Sequence, residues 1–372
     1  MSHSTSIGLD VHARSVAATA LVHETGEVVR ASFRCGGDYA AEIAAWAAAL
    51  PQPARAVYES GPTGFDLKRR LDALGLPCAV GAVTKMLRPS GDRVKTDRRD
   101  ADFLARMLAV GNVVECHCPT RAEEADRDLS RLREQVRCDL MRARHQLSKF
   151  LLRKGLVWGG KTAWSQVHRR WLRGVGDGLP EAEERFVYRE LLEAVRVAEE
   201  RRRRVDEEIA RRAAAPEHAA VVSALSCVRG ISTLTAFSVD VEVGDLSRFP
   251  DARSFMSYVG LVPSESSSGE SVRRGGVTRA GNAHVRRLLV EAAWHHARPI
   301  SPAADGTAGA HAPTASLDAA AAWCNVRRHR RYLDLSARKP PCVAAAAVAR
   351  ELAGFVWAIG REARALGAPG GA

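Results

Sequence analysis

Apolar and polar residues alternate over short stretches in the first part of the chain, and longer helical patterns follow. Five alternating or apolar runs predict β-strands at 6–10, 15–22, 27–34, 54–58 and 78–83. Three further stretches predict helices: 40–49 is rich in alanine, 66–74 is amphipathic, and a third helix lies within 94–108. Three strands in hairpin order, then helix, strand, helix, strand and helix, is the element order of the ribonuclease-H-like α/β fold.

Four carboxylates occupy special places in this order of elements. Asp10 lies on the first strand, Glu59 ends the fourth, and Asp97 and Asp100 begin the last helix. Residues three apart share one face of a helix, so all four could converge at one edge of the sheet and chelate two Mg²⁺ ions. Taken singly, each has an ordinary interpretation as a strand-end, surface or first-turn acid. Three neighbouring cations could hold a phosphate backbone: Lys95, Arg98 and Arg99.

Two long helices are predicted at 123–153 and 181–215, where Arg and Glu are dense and apolar residues recur every three or four positions. The segment that joins them, 155–179, is rich in Trp, Gly and Arg. This pattern indicates an antiparallel coiled-coil arm, which could pair with a second copy of the protein. The four consecutive arginines at 201–204 favour a solvated helix face slightly over a dedicated nucleic-acid contact.

The C-terminal part contains two segments with candidate phosphate chemistry. Residues 225–236, LSCVRGISTLTA, have the layout of a helix-hairpin-helix that holds a phosphate through backbone N–H groups, although a plain helical connection looks similar. Residues 264–274, SESSSGESVRR, have the composition of a flexible loop. They could instead present a serine nucleophile, held at a phosphate by arginines and by the start of a helix from Asn282. The residue pattern does not choose among the serines.

The remaining C-terminal sequence predicts an exposed loop at 303–320, a basic patch at 325–331 and a buried closing helix at 342–365. Arg350 and Glu351 interrupt the apolar run in that helix, so we expect no membrane span. Of the eight cysteines, only Cys116-His117-Cys118 form a cluster, and its spacing is poor for zinc. The scattered cysteines and the polar N-terminus favour a reduced, cytoplasmic protein without a secretory signal.

Charge points to the class of partner. Lys and Arg number 55 against 43 Asp and Glu in 372 residues, which gives a formal charge of +12. Such an excess, with a pI near 9.7, indicates a polyanionic partner, most often nucleic acid. The hydrophobic content of 46% is that of an ordinary folded protein, and the chain is long enough for two or three domains.

The chain resembles a bacterial transposase family, the insertion-sequence family called "one-ten", along nearly its whole length. The resemblance rests on motifs in the family's order: IGLDVHARSVA, YESGPTG, KTDRRDADFLARML, LSCVRGISTLTA, FMSYVGLVPSESSSGESVRRGG, TRAGNAHVRRLL and ARELAGFVWAI. It implies an RNA-guided DNA recombinase with a RuvC-like domain over 1–115, a coiled-coil arm over 116–217 and a C-terminal transposase domain over 218–372. In that last domain, Arg229 stands where the family's hairpin more often has Pro.

The resemblance also implies the catalytic residues. A metal-binding DEDD tetrad would consist of Asp10, Glu59, Asp97 and Asp100. An ungapped match of LVPSESSSGESVR places the catalytic serine at Ser268, with Ser271 as the second choice. This serine would attack a DNA phosphate and form a phosphoserine intermediate, with tetrad and serine supplied by different subunits of a homodimer or homotetramer. Five arginines near the serine are predicted nucleic-acid contacts: Arg273, Arg274, Arg279, Arg286 and Arg287.

The same resemblance implies the partners. A structured noncoding RNA, the bridge RNA, would pair with double-stranded donor and target DNA and supply the sequence choice. The protein would then contact mainly backbone and shape, in the bacterial cytoplasm at the nucleoid. The alternative function is a hydrolytic RuvC-like junction-resolving nuclease that uses the tetrad and water alone. A catalytically inactive nucleic-acid-binding protein is a further alternative, which the intact tetrad disfavours.

Overall fold

The structure, a computed structural model, describes residues 3–82, 97–268, 271–301 and 312–367. The chain forms two compact units, Met1–Thr120 and Arg121–Ala372. The first is a mixed α/β unit and the second is mainly helical, which agrees with the predicted fold class at that level. The predicted division at 217 lies inside the second unit and stays a prediction.

A five-stranded sheet forms the first unit. Its strands are β1 Thr5–Val11, β2 Ser15–Val22, β3 Val28–Arg34, β4 Ala54–Glu59 and β5 Cys78–Gly81. They lie in the order β3-β2-β1-β4-β5, with β1, β2 and β3 antiparallel and β4 parallel to both β1 and β5. The helices are α1 Tyr39–Ala48, α2 Asp66–Ala73 and α3 Asp97–Ala109. The predicted strands and helices are confirmed, while residues 83 and 94–96 lie outside the described ones.

Alternation of side chains places helices on both faces of this sheet. In β4, Ala56 and Tyr58 are fully buried in a core that includes residues of α1 and α2. Val57, between them, points the other way and packs with Leu104 and Leu108 of α3. Because neighbouring residues of a strand face opposite sides, the apolar run of β4 forms a central layer that is covered on both faces.

Helix α3 comes very close to β1 because residue 8 is glycine. A Cβ atom at Gly8 would lie 2.1 Å from the carbonyl oxygen of Ala101, a distance that real side chains do not reach. Asp102 also fixes α3 to the sheet, because it accepts hydrogen bonds from Thr19 Oγ1 (2.7 Å) on β2 and from Arg30 Nη2 (2.9 Å) on β3. These contacts hold the first turn of α3 near the C-terminal end of β1.

Helices and one hairpin build the second unit. The helices are α4 Arg121–Arg153, α5 Gln166–Val175, α6 Ala182–Ala213, α7 Pro216–Ser226, α8 Thr233–Val243, α9 Ala252–Tyr258, α10 Ala283–His295, α11 Ala315–Ser336 and α12 Pro341–Gly367. The hairpin consists of the antiparallel strands β6 Pro263–Ser268 and β7 Ser271–Val277.

The two longest charged helices, α4 and α6, lie side by side. Ion pairs join successively later residues of α4 to successively earlier residues of α6: Asp126–Arg212, Arg133–Asp206 and Arg144–Glu199. Lys154, just beyond α4, continues the series by pairing with Glu184. The helices are therefore antiparallel neighbours, whereas coiled-coil packing between them stays a prediction. The later part of α4, from Leu140 onward, forms a small apolar core with α5 and α6.

Helix α12 runs through the main core of the second unit. Its residues Val348, Leu352 and Val356 are fully buried, in a cluster that also draws on α7, α8, α10 and α11. By length and composition alone, Pro341–Leu366 is the one helix of the described residues that could also cross a membrane. The core helix of a folded unit meets the same criteria, and the burial of α12 agrees with the predicted closing helix.

Two predictions for the C-terminal sequence need correction. The loop predicted at 303–320 is wrong from residue 315 onward, where α11 begins, while 302–311 lie outside the described residues. Thr314 caps α11 by accepting a hydrogen bond from the Leu317 N–H, and the alanines that follow have the highest helix propensity. The basic patch predicted at 325–331 is only partly a surface feature, because Arg328 is 1% exposed.

Candidate active site

Three elements of the first unit bring predicted carboxylates toward one edge of its sheet. Asp10 follows Leu9 near the end of β1, and Glu59 follows Tyr58 at the end of β4. Leu9 and Tyr58 are register partners on these parallel strands, so Asp10 and Glu59 stand side by side where the strands end. The first turn of α3 carries Asp97 and reaches the same edge.

A histidine joins the carboxylates. His12 Nε2 lies 3.1 Å from Asp10 Oδ2 and 3.6 Å from Asp97 Oδ1. One ligand atom from each of these residues lies within 4.8 Å of the other two, so the group could hold a divalent cation. His12 was not among the predicted site residues, because a histidine two positions after a strand-end aspartate has no pattern of its own. It stands within the motif IGLDVHARSVA.

The electrostatics of Asp10 favour cation binding. Burial raises the pKa of Asp10, the hydrogen bond and charge of His12 oppose that effect, and the charges of Asp97 and Asp100 raise the pKa further. A raised carboxyl pKa means that the fold disfavours the ionised form, here chiefly through burial, and a nearby positive charge would offset that cost. A divalent metal would supply that charge, and carboxylate oxygens suit Mg²⁺ and Mn²⁺ alike. The residues present therefore fit a metal of this class.

The cluster is open to a large substrate. The side chains of Asp97 and His12 are 65% and 52% exposed, whereas that of Asp10 is 18% exposed. Arg98 and Arg99 are exposed in the same turn of α3, and Lys95 lies outside the described residues. A backbone phosphate could therefore approach the cluster at the surface of the first unit.

The serine-rich segment of the second unit is a β-hairpin and not the flexible loop that its composition favours. Ser268 ends β6, Ser271 begins β7, and the two are register partners at the tip. Residues 269–270, between them, lie outside the described ones. Behind the tip, Arg273 is the register partner of Ser266, and it is exposed. Both candidate serines thus lie at the end of their strands, beside the turn of the hairpin.

A tight turn links the hairpin to α10. Gly281 has a φ of +73°, and a Cβ atom there would lie 1.9 Å from the carbonyl oxygen of Tyr258, so only glycine fits. Arg286 donates from Nη1 to the carbonyl oxygens of Val259 and Ala280, both at 3.0 Å. The guanidinium of Arg286 therefore fixes this turn, and its predicted contact with nucleic acid stays a prediction.

The other predicted arginines of this segment differ in their surroundings. Arg287 pairs with Glu134 of α4 at 2.7 Å and with Glu291 of α10 at 2.6 Å. Arg279 is exposed and has a φ of +56°. Arg274 is the register partner of Glu265. Arg279 is therefore better placed than Arg287 to meet a phosphate.

The predicted helix-hairpin-helix lies at the connection of α7 and α8. Gly230 occupies the turn with a φ of +80°, where a Cβ atom would lie 2.6 Å from the carbonyl oxygen of Ala292. Arg229 is 1% exposed and donates to the carbonyl oxygens of Arg298 (2.7 Å) and Pro299 (2.8 Å). The charge of Arg229 is therefore used inside the unit, and phosphate binding by this turn stays a prediction.

A buried carboxylate outside the predicted set lies at the start of α10. Glu242, on α8, has a side chain only 2% exposed and accepts hydrogen bonds from Arg131 Nε (2.8 Å) and Asn282 Nδ2 (3.0 Å). Burial alone would raise the pKa of Glu242, but hydrogen bonds from His284, Arg131 and Asn282 lower it to about 2. Asn282 also caps α10 by accepting from the Val285 N–H. Glu242 thus couples α4 to the helix that follows the serine hairpin.

Known proteins are similar to this chain over most of its length. The family described as Transposase IS116/IS110/IS902 matches residues 222–305. A candidate transposase of Sinorhizobium fredii, y4qE, is 40% identical over 308 residues, which are 82% of this chain and 75% of that protein. The transposase for insertion sequence element IS1533 of Leptospira borgpetersenii is 31% identical over 290 residues, which are 76% of this chain and 82% of that protein.

Proposed function

This chain belongs to the IS116/IS110/IS902 transposase family, and we propose that it breaks and rejoins DNA strands when an insertion sequence moves. The relatives are named as transposases, and the match extends over at least three quarters of this chain in both. The observation that carries the proposal is the meeting of Asp10, His12 and Asp97 at one sheet edge, with ligand atoms within 4.8 Å of one another.

The first unit would supply a nuclease-type metal site. Its strand order, with three antiparallel strands followed by two parallel ones, supports a ribonuclease-H-like, RuvC-like fold. The residues that would hold Mg²⁺ are Asp10, Glu59, Asp97 and Asp100. When bound, Mg²⁺ polarises the phosphate and stabilises the leaving oxygen. His12 would add a further possible ligand, and its 3.1 Å contact with Asp10 would orient that carboxylate.

Ser268 would be the nucleophile, with Ser271 as the second choice. Its hydroxyl oxygen forms a bond to a DNA phosphorus atom, the bond from that phosphorus to a deoxyribose oxygen breaks, and the serine proton passes overall to the released oxygen. A hydroxyl group of a second strand then displaces the serine by the reverse exchange. The place of Ser268 at the end of β6, paired with Ser271 across the hairpin, supports this role, because the end of a hairpin can approach a phosphate on a duplex.

Nucleic-acid partners complete the proposal. The formal charge of +12 and the exposed Arg98, Arg99 and Arg273 support binding to phosphate backbones. We include in the proposal a structured bridge-type RNA that pairs with donor and target DNA. We also include a homodimer or homotetramer in which the tetrad of one subunit works with the serine of another.

Covalent trapping tests both sites together. Purified protein is incubated with Mg²⁺, the RNA encoded beside the element and labelled donor DNA, then separated on a denaturing gel and peptide-mapped. We expect a labelled adduct at Ser268 that Ser268→Ala abolishes.

The metal site is tested in the same assay. We expect Asp10→Asn to reduce strand cleavage at least about a thousandfold, because the cluster then loses a metal ligand. Asp66→Asn, which removes an acid from the first turn of α2, is the matched control and should cleave normally.

Each result separates the candidate functions. Cleaved DNA without an adduct would support the hydrolytic nuclease, which needs only the tetrad and water. An adduct at Ser271 would keep the mechanism and move the nucleophile to the other strand of the hairpin. Full activity in both Ser268→Ala and Ser271→Ala would end the serine mechanism.

A further inference from the structure

Two clefts meet at the surface of the second unit, between α11, α12 and α9. The first has a volume of about 480 Å³ and is lined mainly by arginines of α11, namely Arg327, Arg328, Arg330 and Arg331. The second has a volume of about 390 Å³ and is lined mainly by apolar and aromatic side chains, namely Met256, Trp323, Phe355 and Trp357. Trp323 and Arg327 belong to both, so the clefts share a wall. Both volumes are in the range of small-ligand sites.

Trp323 stands in solvent at this shared wall. Trp323 is 56% exposed, which is a large fraction for a residue with one of the largest apolar side chains. Its ring centroid lies 5.1 Å from that of Phe355, with an angle of 58° between the planes. The guanidinium carbon of Arg327 lies 5.0 Å from the same centroid. Phe355 and Arg327 thus hold the ring in place, and the exposed remainder of Trp323 offers surface to a flat ligand.

The adjoining cleft carries excess positive charge. Arg328 and Arg331 both pair with Glu351. Arg327 and Arg330 have no ion pair within the part of the chain that the structure describes. Asp334 is the other acid that lines this cleft, so its four arginines exceed its acids by two charges. An anion beside the aromatic cleft would balance that excess.

The aromatic cleft suits a planar ring, and the arginine-lined cleft beside it suits an anion. A nucleotide contains both, as its base and its phosphate. Aromatic side chains stack on the face of any base, and the planar guanidinium of arginine matches a phosphate. A base within a duplex is already stacked on its neighbours, so only an unpaired base could enter the aromatic cleft. We propose that the two clefts form one site for an unpaired nucleotide of a nucleic-acid strand. Its base would stack on Trp323, and its phosphate would lie at Arg327 and Arg330.

This site rests on the proposed function, because strand exchange exposes unpaired nucleotides. It adds a binding site on α11 that would hold such a nucleotide regardless of the base sequence. The shared chemistry is that of a base and a phosphate, which a DNA strand or an RNA strand could supply. Strand type is therefore a variable of the test.

Binding of short single strands tests the site. The full chain is titrated with oligothymidylate, with oligouridylate and with a DNA duplex of equal length, in metal-free buffer so that no strand is cut. We expect Trp323→Ala to weaken single-strand binding about tenfold while duplex binding changes less than about twofold. Trp323→Phe should keep most of the affinity, because phenylalanine still stacks. The tryptophan fluorescence quenching that accompanies binding of the wild type should be smaller in Trp323→Phe.

The arginines are tested with a matched control. Replacing both Arg327 and Arg330 by Gln should weaken single-strand binding and lower its dependence on salt, because two phosphate contacts are lost. Arg338→Gln removes an exposed charge just beyond the end of α11 and outside both clefts, so it should have a clearly smaller effect. A loss confined to oligothymidylate or to oligouridylate would assign the site to DNA or to RNA.

Two outcomes would overturn the site. One is wild-type affinity of Trp323→Ala for both single strands, and the other is equal weakening of single strand and duplex. The transposase proposal is judged separately, by cleavage and adduct formation in Mg²⁺. If the wild type cleaves DNA normally and Trp323→Ala binds single strands as tightly as the wild type, only the proposed nucleotide site is refuted. An inactive wild type that still needs Trp323 to bind single strands would leave the site standing and refute the proposed chemistry.

Discussion

The two units place carboxylates in opposite electrostatic settings. In the first unit, burial raises the pKa of Asp10, and the acids near it add to the rise. In the second unit, burial would also raise the pKa of Glu242, yet hydrogen bonds from His284, Arg131 and Asn282 lower it to about 2. Glu242 is the more deeply buried of the two, so the direct partners decide the sign of the shift.

The same contrast extends to a second buried network. His218 Nδ1 lies 2.7 Å from Asp240 Oδ2, and His218 Nε2 lies 3.0 Å from Asp126 Oδ2. Arg212 pairs with Asp126, and Arg364 pairs with Asp240. Asp126, Asp240 and Glu242 thus each have cationic partners, and such acids hold helices together. At the sheet edge of the first unit, by contrast, Asp10, His12 and Asp97 present ligand atoms within 4.8 Å of one another, which marks them as candidate metal ligands.

The largest expected effect on folding stability is at Glu242. Glu242→Gln removes the buried carboxylate that interacts with Arg131 and His284, so we expect the free energy of unfolding to fall by about 2 kcal/mol. Urea-induced unfolding measures it. Glu291→Gln removes an exposed carboxylate that pairs with Arg287, and it should change stability much less. If both variants lost the same free energy of unfolding, buried acids with several partners would not stabilise the fold more than surface acids do.

An intermediate effect is expected from pH at His218. Burial lowers the pKa of His218, but its hydrogen bonds and charge interactions with Asp240 and Asp126 outweigh burial, and the net pKa is raised. Arg212 is the facing cation, with Nη2 at 3.4 Å from His218 Nε2. The stabilisation is therefore complete below the ordinary histidine pKa of 6.5 and is lost as pH rises through the raised value.

This dependence is measured as the difference in unfolding free energy between the wild type and His218→Gln. The difference should shrink from pH 6 toward alkaline pH, because the wild-type imidazolium loses its proton. His145→Gln, on the exposed side of α4, controls for the loss of a surface imidazole. A difference that grows with rising pH would show that the neutral form of His218 is the stabilising one.

The smallest effect on stability is expected at Asp10. Because a raised carboxyl pKa means that the ionised group is disfavoured in the fold, Asp10→Asn should keep or raise the unfolding free energy in metal-free buffer, by about 0.5 kcal/mol or less. Mg²⁺ should raise the melting temperature of the wild type and have a smaller effect on this variant. Thermal unfolding with and without Mg²⁺ checks both points. If Asp10→Asn lowered the free energy of unfolding as much as Glu242→Gln, Asp10 would stabilise the fold instead of being available for a metal.

Local patterns predicted the elements that carry the candidate tetrad. Asp10 and Glu59 come at the ends of apolar strand runs, and the helical period around Asp97 and Asp100 is clear without any distant contact. Local composition gave a wrong prediction at two places. The serines and glycine of 264–274 favour a loop, and so do the alanines, glycines and prolines of 303–320. Strand pairing made the first a hairpin, and a capping Thr314 started a helix in the second.

Contacts between distant residues were beyond local patterns. Glu242 meets Arg131 across 111 positions of the sequence and Asn282 across 40, so no spacing rule connects them. His12 meets Asp97 only because α3 returns to the end of β1. Gly8 permits that return, yet a glycine within an apolar run could equally mark a bulge. The parts of the site were therefore predictable, whereas its exact membership needed the fold.

The antiparallel helices α4 and α6 also connect two separate apolar cores. Ile209 of α6 belongs to the large core around α12, whereas Leu147 and Val195 belong to the small core with α5. Cores built from different residues can open at different free-energy costs. Amide hydrogens around α5 should then exchange with solvent through local opening, while those of α12 exchange mainly through global unfolding. We therefore expect one pair of continuous helices to carry two levels of local stability, with the less stable level in the small core around α5.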